Sequence, residues 1–81
     1  MDFPIYRKYT GIDVWFKIKN QTEFEEIKKI GLRTIITNIE AKIFPEKQFI
    51  RDMIDCYENR WEPISESDYR MANPDNLKPV K

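Results

Sequence analysis

The stretch IYRKYTGIDVWFKIK, residues 5–19, decides the fold because its two halves alternate with period two around a turn. Both halves are rich in β-branched and aromatic residues, which favour strands. The sequence Thr-Gly-Ile-Asp between them, residues 10–13, contains the glycine and aspartate that tight connections prefer. The pattern predicts a β-hairpin with a four-residue loop.

The hairpin register sorts the side chains onto two faces. The inward face is predicted to hold Ile5, Arg7, Tyr9, Val14, Phe16 and Ile18. The outward face is predicted to hold two cross-strand pairs, Lys8 with Trp15 and Lys17 with Tyr6. Such pairs stabilise a sheet by about 0.5–1 kcal/mol each, and the same arrangement suits a binding site. Arg7 needs a partner on its inward face, either Glu25 or Glu26 or an interface. The candidate interaction face is therefore Tyr6, Arg7, Lys8, Trp15 and Lys17.

A first helix is predicted to follow the hairpin. Residues 22–25, Thr-Glu-Phe-Glu, have the pattern of a capping box, in which Thr22 and Glu25 satisfy each other's amides. Phe24, Ile27 and Ile30 then recur every three residues, which is typical of a narrow apolar stripe on a helix. Gly31 is placed to end this helix.

Residues 33–44 alternate again and predict the longest strand, with the odd-numbered residues inward: Ile35, Thr37, Ile39, Ala41 and Ile43. Pro45 and Glu46 favour the start of a second helix. Its apolar face is predicted to hold Phe49, Ile50, Met53, Ile54, Cys56 and Tyr57. A short extended piece at residues 61–64 and a short helix starting from a capping box at residues 65–68 complete the assignment.

These elements predict a two-layer α+β fold with the element order β-β-α-β-α-α. Short connections place the three strands in a mixed sheet in the order 2-1-3, with the third strand parallel to the second. Both main helices then cover one face of the sheet, and the short C-terminal helix follows. We assign residues 1–72 to this single domain and predict a disordered tail at residues 73–81.

The composition argues against enzymatic chemistry. The chain contains no His, one Cys and two isolated Gly, so catalytic triads, thiolate clusters and phosphate-binding loops are all excluded. Cys56 is interpreted as an inert, buried side chain. Glu40 and Lys42 match half of a metal-dependent nuclease motif, but the motif also needs an Asp at the end of a preceding strand, and the nearest candidate, Asp13, lies in a turn. The solvated face of a strand explains the two charges better. We predict a non-enzymatic protein with no cofactor and no metal.

Charge and hydropathy restrict the partners. Fourteen acidic and fourteen basic residues balance, which argues against unspecific binding of nucleic acid. No apolar run approaches the length of a signal core or a membrane span. A lone cysteine fits a reducing compartment, so the sequence predicts a soluble cytoplasmic protein.

Three functional hypotheses remain open. The first is a protein-interaction or regulatory module that uses the hairpin face and the edge of strand 34–43, where long unpaired backbone would favour a homodimer or an added partner strand. The second is single-stranded nucleic-acid binding through the same hairpin face, because lysines between aromatic rings can stack bases and hold phosphates. The third is an enzyme with carboxylate chemistry, which would need a pocket.

The segments YRKY, FKI, TEFEEI, IEAKIFPE, FIRDMI and W-x-P-I resemble those of small single-domain bacterial proteins with a domain of unknown function. The resemblance spans about residues 5–70. It implies no activity, cofactor or site residue.

Overall fold

The computed structural model describes residues 2–72. Along this part of the chain the elements are β1 (Ile5–Tyr9), β2 (Val14–Asn20), β3 (Glu23–Ile30), β4 (Arg33–Glu40), α1 (Phe44–Asp55), a 3₁₀ turn (Tyr57–Asn59), β5 (Trp61–Pro63) and α2 (Glu66–Ala72). The five strands form one antiparallel sheet in the order β4-β3-β2-β1-β5. The predicted tail at residues 73–81 lies outside the described residues.

The opening hairpin is confirmed in position and register. Lys8 lies opposite Trp15, and Tyr6 lies opposite Lys17. The inward face is also as predicted, since Phe16 and Ile18 are fully buried.

The predicted first helix is wrong, because residues 23–30 form strand β3. Phe24 and Ile27 are both buried, but on opposite faces of the sheet. Strand residues three apart point to opposite faces, so the spacing that suggested a helical stripe also fits a strand buried on both sides. The capping box does not form, and the Thr22 hydroxyl instead donates to Asn20 Oδ1 at 3.0 Å.

The three-stranded mixed sheet in the order 2-1-3 is therefore wrong, although the α+β class stands. β2, β3 and β4 are joined by two-residue loops, so each of these neighbouring pairs is antiparallel. Gly31 opens the second loop with a φ of 60°, a backbone conformation that glycine supplies at low cost. β4 consequently lies beside β3 at one edge of the sheet, rather than beside β1.

α1 and α2 lie on opposite faces of the sheet, so the predicted two-layer arrangement is wrong. One of its two main helices is strand β3, and the short C-terminal helix covers the face that was expected to be open. The larger core, between the sheet and α1, is formed by Val14, Phe16, Ile18, Phe24, Ala41, Ile50, Met53 and Trp61. The smaller core, under α2, is formed by Ile27, Tyr69 and Ala72, with Tyr6, Trp15 and Ile64 packed against it.

The starts of both helices follow the predicted signals. Glu46 accepts from the amides of Lys42 at 2.9 Å and Ile43 at 3.3 Å, and these hydrogen bonds lower the pKa of its carboxyl group. At α2 the Ser65 hydroxyl accepts from the Asp68 amide at 3.0 Å, and Asp68 Oδ2 accepts from the Ser65 amide at 3.5 Å.

The end of α1 differs from the prediction. The helix stops at Asp55, and Cys56 caps it in the left-handed conformation with a φ of 52°. Cys56 is half-buried against the larger core, whereas Tyr57 is exposed and lies beyond the helix.

Candidate interaction surface

β4 has an open backbone edge. Its only hydrogen-bonded neighbour in the described sheet is β3, and the pair Ile30–Arg33 closes the loop between them. In such a ladder the odd-numbered residues of β4 direct their N–H and C=O groups to β3, and the Ala41 amide continues this pattern by donating to the Thr22 carbonyl at 2.6 Å. The backbone groups that face outward therefore belong to Thr34, Ile36, Asn38 and Glu40.

Exposed apolar side chains concentrate around this edge. Nine large hydrophobic residues are exposed in the described chain, and six of them are Ile30, Leu32, Ile35, Ile36, Ile43 and Phe44. Leu32 is fully exposed at the hairpin tip, and Phe44 is 73% exposed where the chain enters α1. Two of the predicted inward residues, Ile35 and Ile43, are thus on the surface. We call the open edge and these six side chains the β4 edge surface. Soluble proteins rarely leave an apolar edge of this kind uncovered, which makes it the candidate interaction surface.

The β3–β4 hairpin is also polarised along its length. The end nearest α1 carries acids, which we call the base acids: Glu23, Glu25, Glu26 and Glu40. The opposite end carries cations, which we call the tip cations: Lys28, Lys29 and Arg33. The hairpin therefore presents positive charge at its tip and negative charge at its base.

Two residues of the predicted interaction face are partly covered by α2. Tyr6 and Trp15 are half-buried against Tyr69 and its neighbours. The rings of Tyr6 and Tyr69 lie 5.3 Å apart, and the Tyr69 hydroxyl donates to Glu25 at 2.5 Å. Burial, and then this hydrogen bond to a carboxylate, raise the pKa of Tyr69; burial also raises the pKa of Tyr6.

Trp15 lies beside two ammonium groups. The Lys8 and Lys29 nitrogens are 5.7 and 5.3 Å from the ring centre. The Lys8 contact follows from the hairpin register, whereas Lys29 comes from the strand that the sequence analysis assigned to a helix. Lys17 is half-buried on the same face. These lysine contacts and α2 leave Trp15 less surface on which a nucleic-acid base could stack.

Arg7 points to the core side and binds the end of α1. Its Nε donates to the Met53 carbonyl at 3.0 Å and its Nη2 to the Ile54 carbonyl at 2.9 Å. Its Nη1 donates to the backbone carbonyl of the preceding residue, Tyr6, at 2.9 Å. The last turn of α1 contains no basic residue of its own. Arg7 therefore supplies, from β1, the cation that helix carbonyl ends favour, and the partner expected from Glu25 or Glu26 is replaced by these carbonyls.

Two depressions lie near α1. An open groove of about 600 Å³ runs between residues 21–22 and α1, and its walls include Phe44, Lys47 and Arg51. A smaller depression of about 220 Å³ adjoins β4 and is lined by Phe24, Ile39, Pro45, Glu46 and Phe49. Within residues 2–72 no group of three His, Cys, Asp or Glu side chains could hold a metal ion. None of the described helices is long and apolar enough to cross a membrane.

Over residues 2–72 the fold and this surface define a small antiparallel α+β domain with a long open sheet edge at β4. A scan against protein-family models and searches of curated proteins and of solved structures found no match for the chain. The resemblance to small bacterial proteins stays a prediction.

Proposed function

We propose that this protein is a non-enzymatic interaction module that binds a partner by strand addition at the β4 edge surface. The observation that carries the proposal is a strand of eight residues that pairs on one side only and exposes isoleucines on both faces. In strand addition, main-chain hydrogen bonds supply affinity, and alternate side chains supply specificity. A regulatory role and a cytoplasmic location belong to the same proposal.

The titratable groups support a role without catalysis, because the shifted ones already have structural partners. Glu46 holds the start of α1, and Tyr69 ties α2 to β3 through Glu25. Tyr9 stacks on Trp61 at 5.4 Å in the larger core, and burial raises its pKa. Among these groups, all within residues 2–72, Glu46 alone lines a depression, and its carboxylate already accepts from two backbone amides. Acid–base catalysis would instead need a group placed to exchange a proton with a substrate.

The test is affinity enrichment from an extract of the cells that make the protein, compared across matched variants. Ile36→Lys places a charge on the edge, and Asn38→Pro removes an outward amide. Ile12→Lys is the control, because Ile12 is 56% exposed in a loop away from β4. Proteins retained by the wild type and by Ile12→Lys, but lost from both edge variants, would support the proposal. Equal retention by all four would contradict it.

Single-stranded nucleic-acid binding through Tyr6, Lys8, Trp15 and Lys17 is the second candidate. The cluster of Lys8 and Lys29 at Trp15 is the feature that favours it, while the cover that α2 gives to both rings reduces its support. Fluorescence anisotropy with labelled oligothymidine at low and high salt decides the matter. Binding that falls steeply with salt and is lost in Lys8→Glu would favour this candidate.

A further inference from the structure

We infer that the occupant of the β4 edge surface is a second copy of this chain, paired antiparallel through β4 about a two-fold axis normal to the sheet. The inference rests on the proposed strand addition and names its partner. Because each copy contributes five strands, the pair would form one continuous sheet of ten strands. An isologous contact of this kind is the commonest way in which soluble proteins form dimers.

The ladder of β4 limits the possible registers. Residues directly opposite each other in an antiparallel pair place their side chains on the same face of the sheet. The even-numbered residues of β4 share one face in both copies, so symmetric pairing must set even-numbered residues opposite even-numbered ones. Two registers use most of the strand, one centred on Ile36 and the other on Thr37. The Thr37 register engages all four outward-facing residues, pairing Thr34 with Glu40 and Ile36 with Asn38. The Ile36 register instead leaves Glu40 opposite a loop residue.

The depression beside β4 selects the Thr37 register. That register sets Ile35 of the second copy opposite Ile39, which lines the depression of about 220 Å³ together with Phe24 and Phe49. Ile35 is 45% exposed in the single chain, and the pairing would bury Ile35 of both copies by symmetry. The Ile36 register would set Arg33 at the same apolar place.

The charges at the two ends of the β3–β4 hairpin are complementary between the two copies in this arrangement. Antiparallel pairing brings the tip cations of one copy toward the base acids of the other, and the two-fold axis repeats the match. It also brings the fully exposed Leu32 toward Ile43 of the second copy, which is 59% exposed. Parallel pairing would instead set the tip cations of the two copies side by side.

A disulfide trap tests the register. Thr37 would face its own symmetry mate in a non-hydrogen-bonded pair, where Cα atoms lie about 4.5 Å apart and a disulfide fits. In a Cys56→Ser background, Thr37→Cys is expected to give a covalent dimer under mild oxidation, whereas the matched variants Thr34→Cys and Ile36→Cys remain monomeric on denaturing gels. Cross-linking at residue 36 in place of residue 37 would overturn the proposed register.

Sedimentation equilibrium tests whether the chain associates with a second copy of itself. The wild type is expected to dimerise, and Asn38→Pro, which removes one donor from each copy, is expected to weaken dimerisation about thirtyfold. A wild type that stays monomeric at high concentration overturns this inference. If such a monomer still binds another protein, and Asn38→Pro abolishes that binding, the proposed function stands without it. Edge variants that change neither self-association nor partner binding overturn both.

Discussion

Replacing Arg7 with Met tests whether this residue stabilises the fold or serves a binding face. The substitution keeps an unbranched apolar side chain of similar reach but removes the guanidinium that donates to the carbonyls of Met53 and Ile54. Hydrogen bonds that involve a charged group contribute about 1.5–3 kcal/mol each. Because Arg7 is half-buried and water can partly replace it, we expect the loss for both bonds together to be about 2–3 kcal/mol.

The measurement is urea unfolding followed by tryptophan fluorescence, at one low protein concentration so that self-association does not add to the result. For a domain of this size the expected loss corresponds to a fall in Tm of about 10–20 °C. Arg7→Lys keeps the charge without the forked geometry, so its free energy of unfolding should lie between those of the wild type and Arg7→Met. Lys47→Met, at an exposed position of α1, is the control and should change the free energy of unfolding by less than about 0.5 kcal/mol. An Arg7→Met protein as stable as the wild type would refute the capping role.

Three further perturbations address the other contacts that hold the helices. Ser65→Ala removes the cap of α2 and should lower the free energy of unfolding by about 1 kcal/mol in urea, with Ser67→Ala as the control; no change would show that the cap is dispensable. Tyr69→Phe removes the donor to Glu25 and should cost about 1–2 kcal/mol, and a neutral result would mean that water satisfies the carboxylate. Glu46 has a lowered pKa in the folded state, so its contribution is present above its unfolded pKa and is lost as pH falls through the folded pKa. Glu46→Gln should therefore lose less Tm than the wild type between neutral and acidic pH, and parallel Tm profiles would contradict this.

Local signals predicted the opening hairpin and the starts of both helices. The extended piece at Trp61 is confirmed, although it is held by pairing with the distant strand β1. The alternation in residues 5–19 and the Glu46 and Ser65 caps are each decided by neighbours in sequence, and each is confirmed. Their energies come from hydrogen bonds and side-chain pairs within a few residues, so the sequence pattern is sufficient.

Strand β3 could not be predicted in the same way. Its sequence, EFEEIKKI, consists largely of glutamate and lysine, which have good helix propensity. The sheet prevails because Phe24 and Ile27 are buried on its two faces by different helices, a gain that no local pattern contains. One signal was available, since Gly31 and Leu32, directly before the alternating segment 33–44, fit a two-residue hairpin loop.

The candidate site was predicted in part for the same reason. An open edge on strand 34–43 was expected, but the position of β4 beside β3 set which residues form that edge and left the Leu32 tip exposed. The hairpin face was expected to be open, and α2 covers much of it through Tyr69 and Ala72. α2 is seven residues long and buries two side chains. A sequence pattern this short does not indicate the face of the sheet on which the helix packs.

The two edges of the sheet are treated differently, and this contrast is the strongest argument for a partner at β4. Soluble proteins protect edge strands by making them short or by placing proline or charges within them. β5 is three residues long and ends with Pro63, so it offers little backbone to another chain. β4 is eight residues long, and residues 34–39 contain neither proline nor a charge. Because the same domain protects one edge and leaves the other long, apolar and uncharged at its centre, this contrast supports the proposal that another strand covers β4.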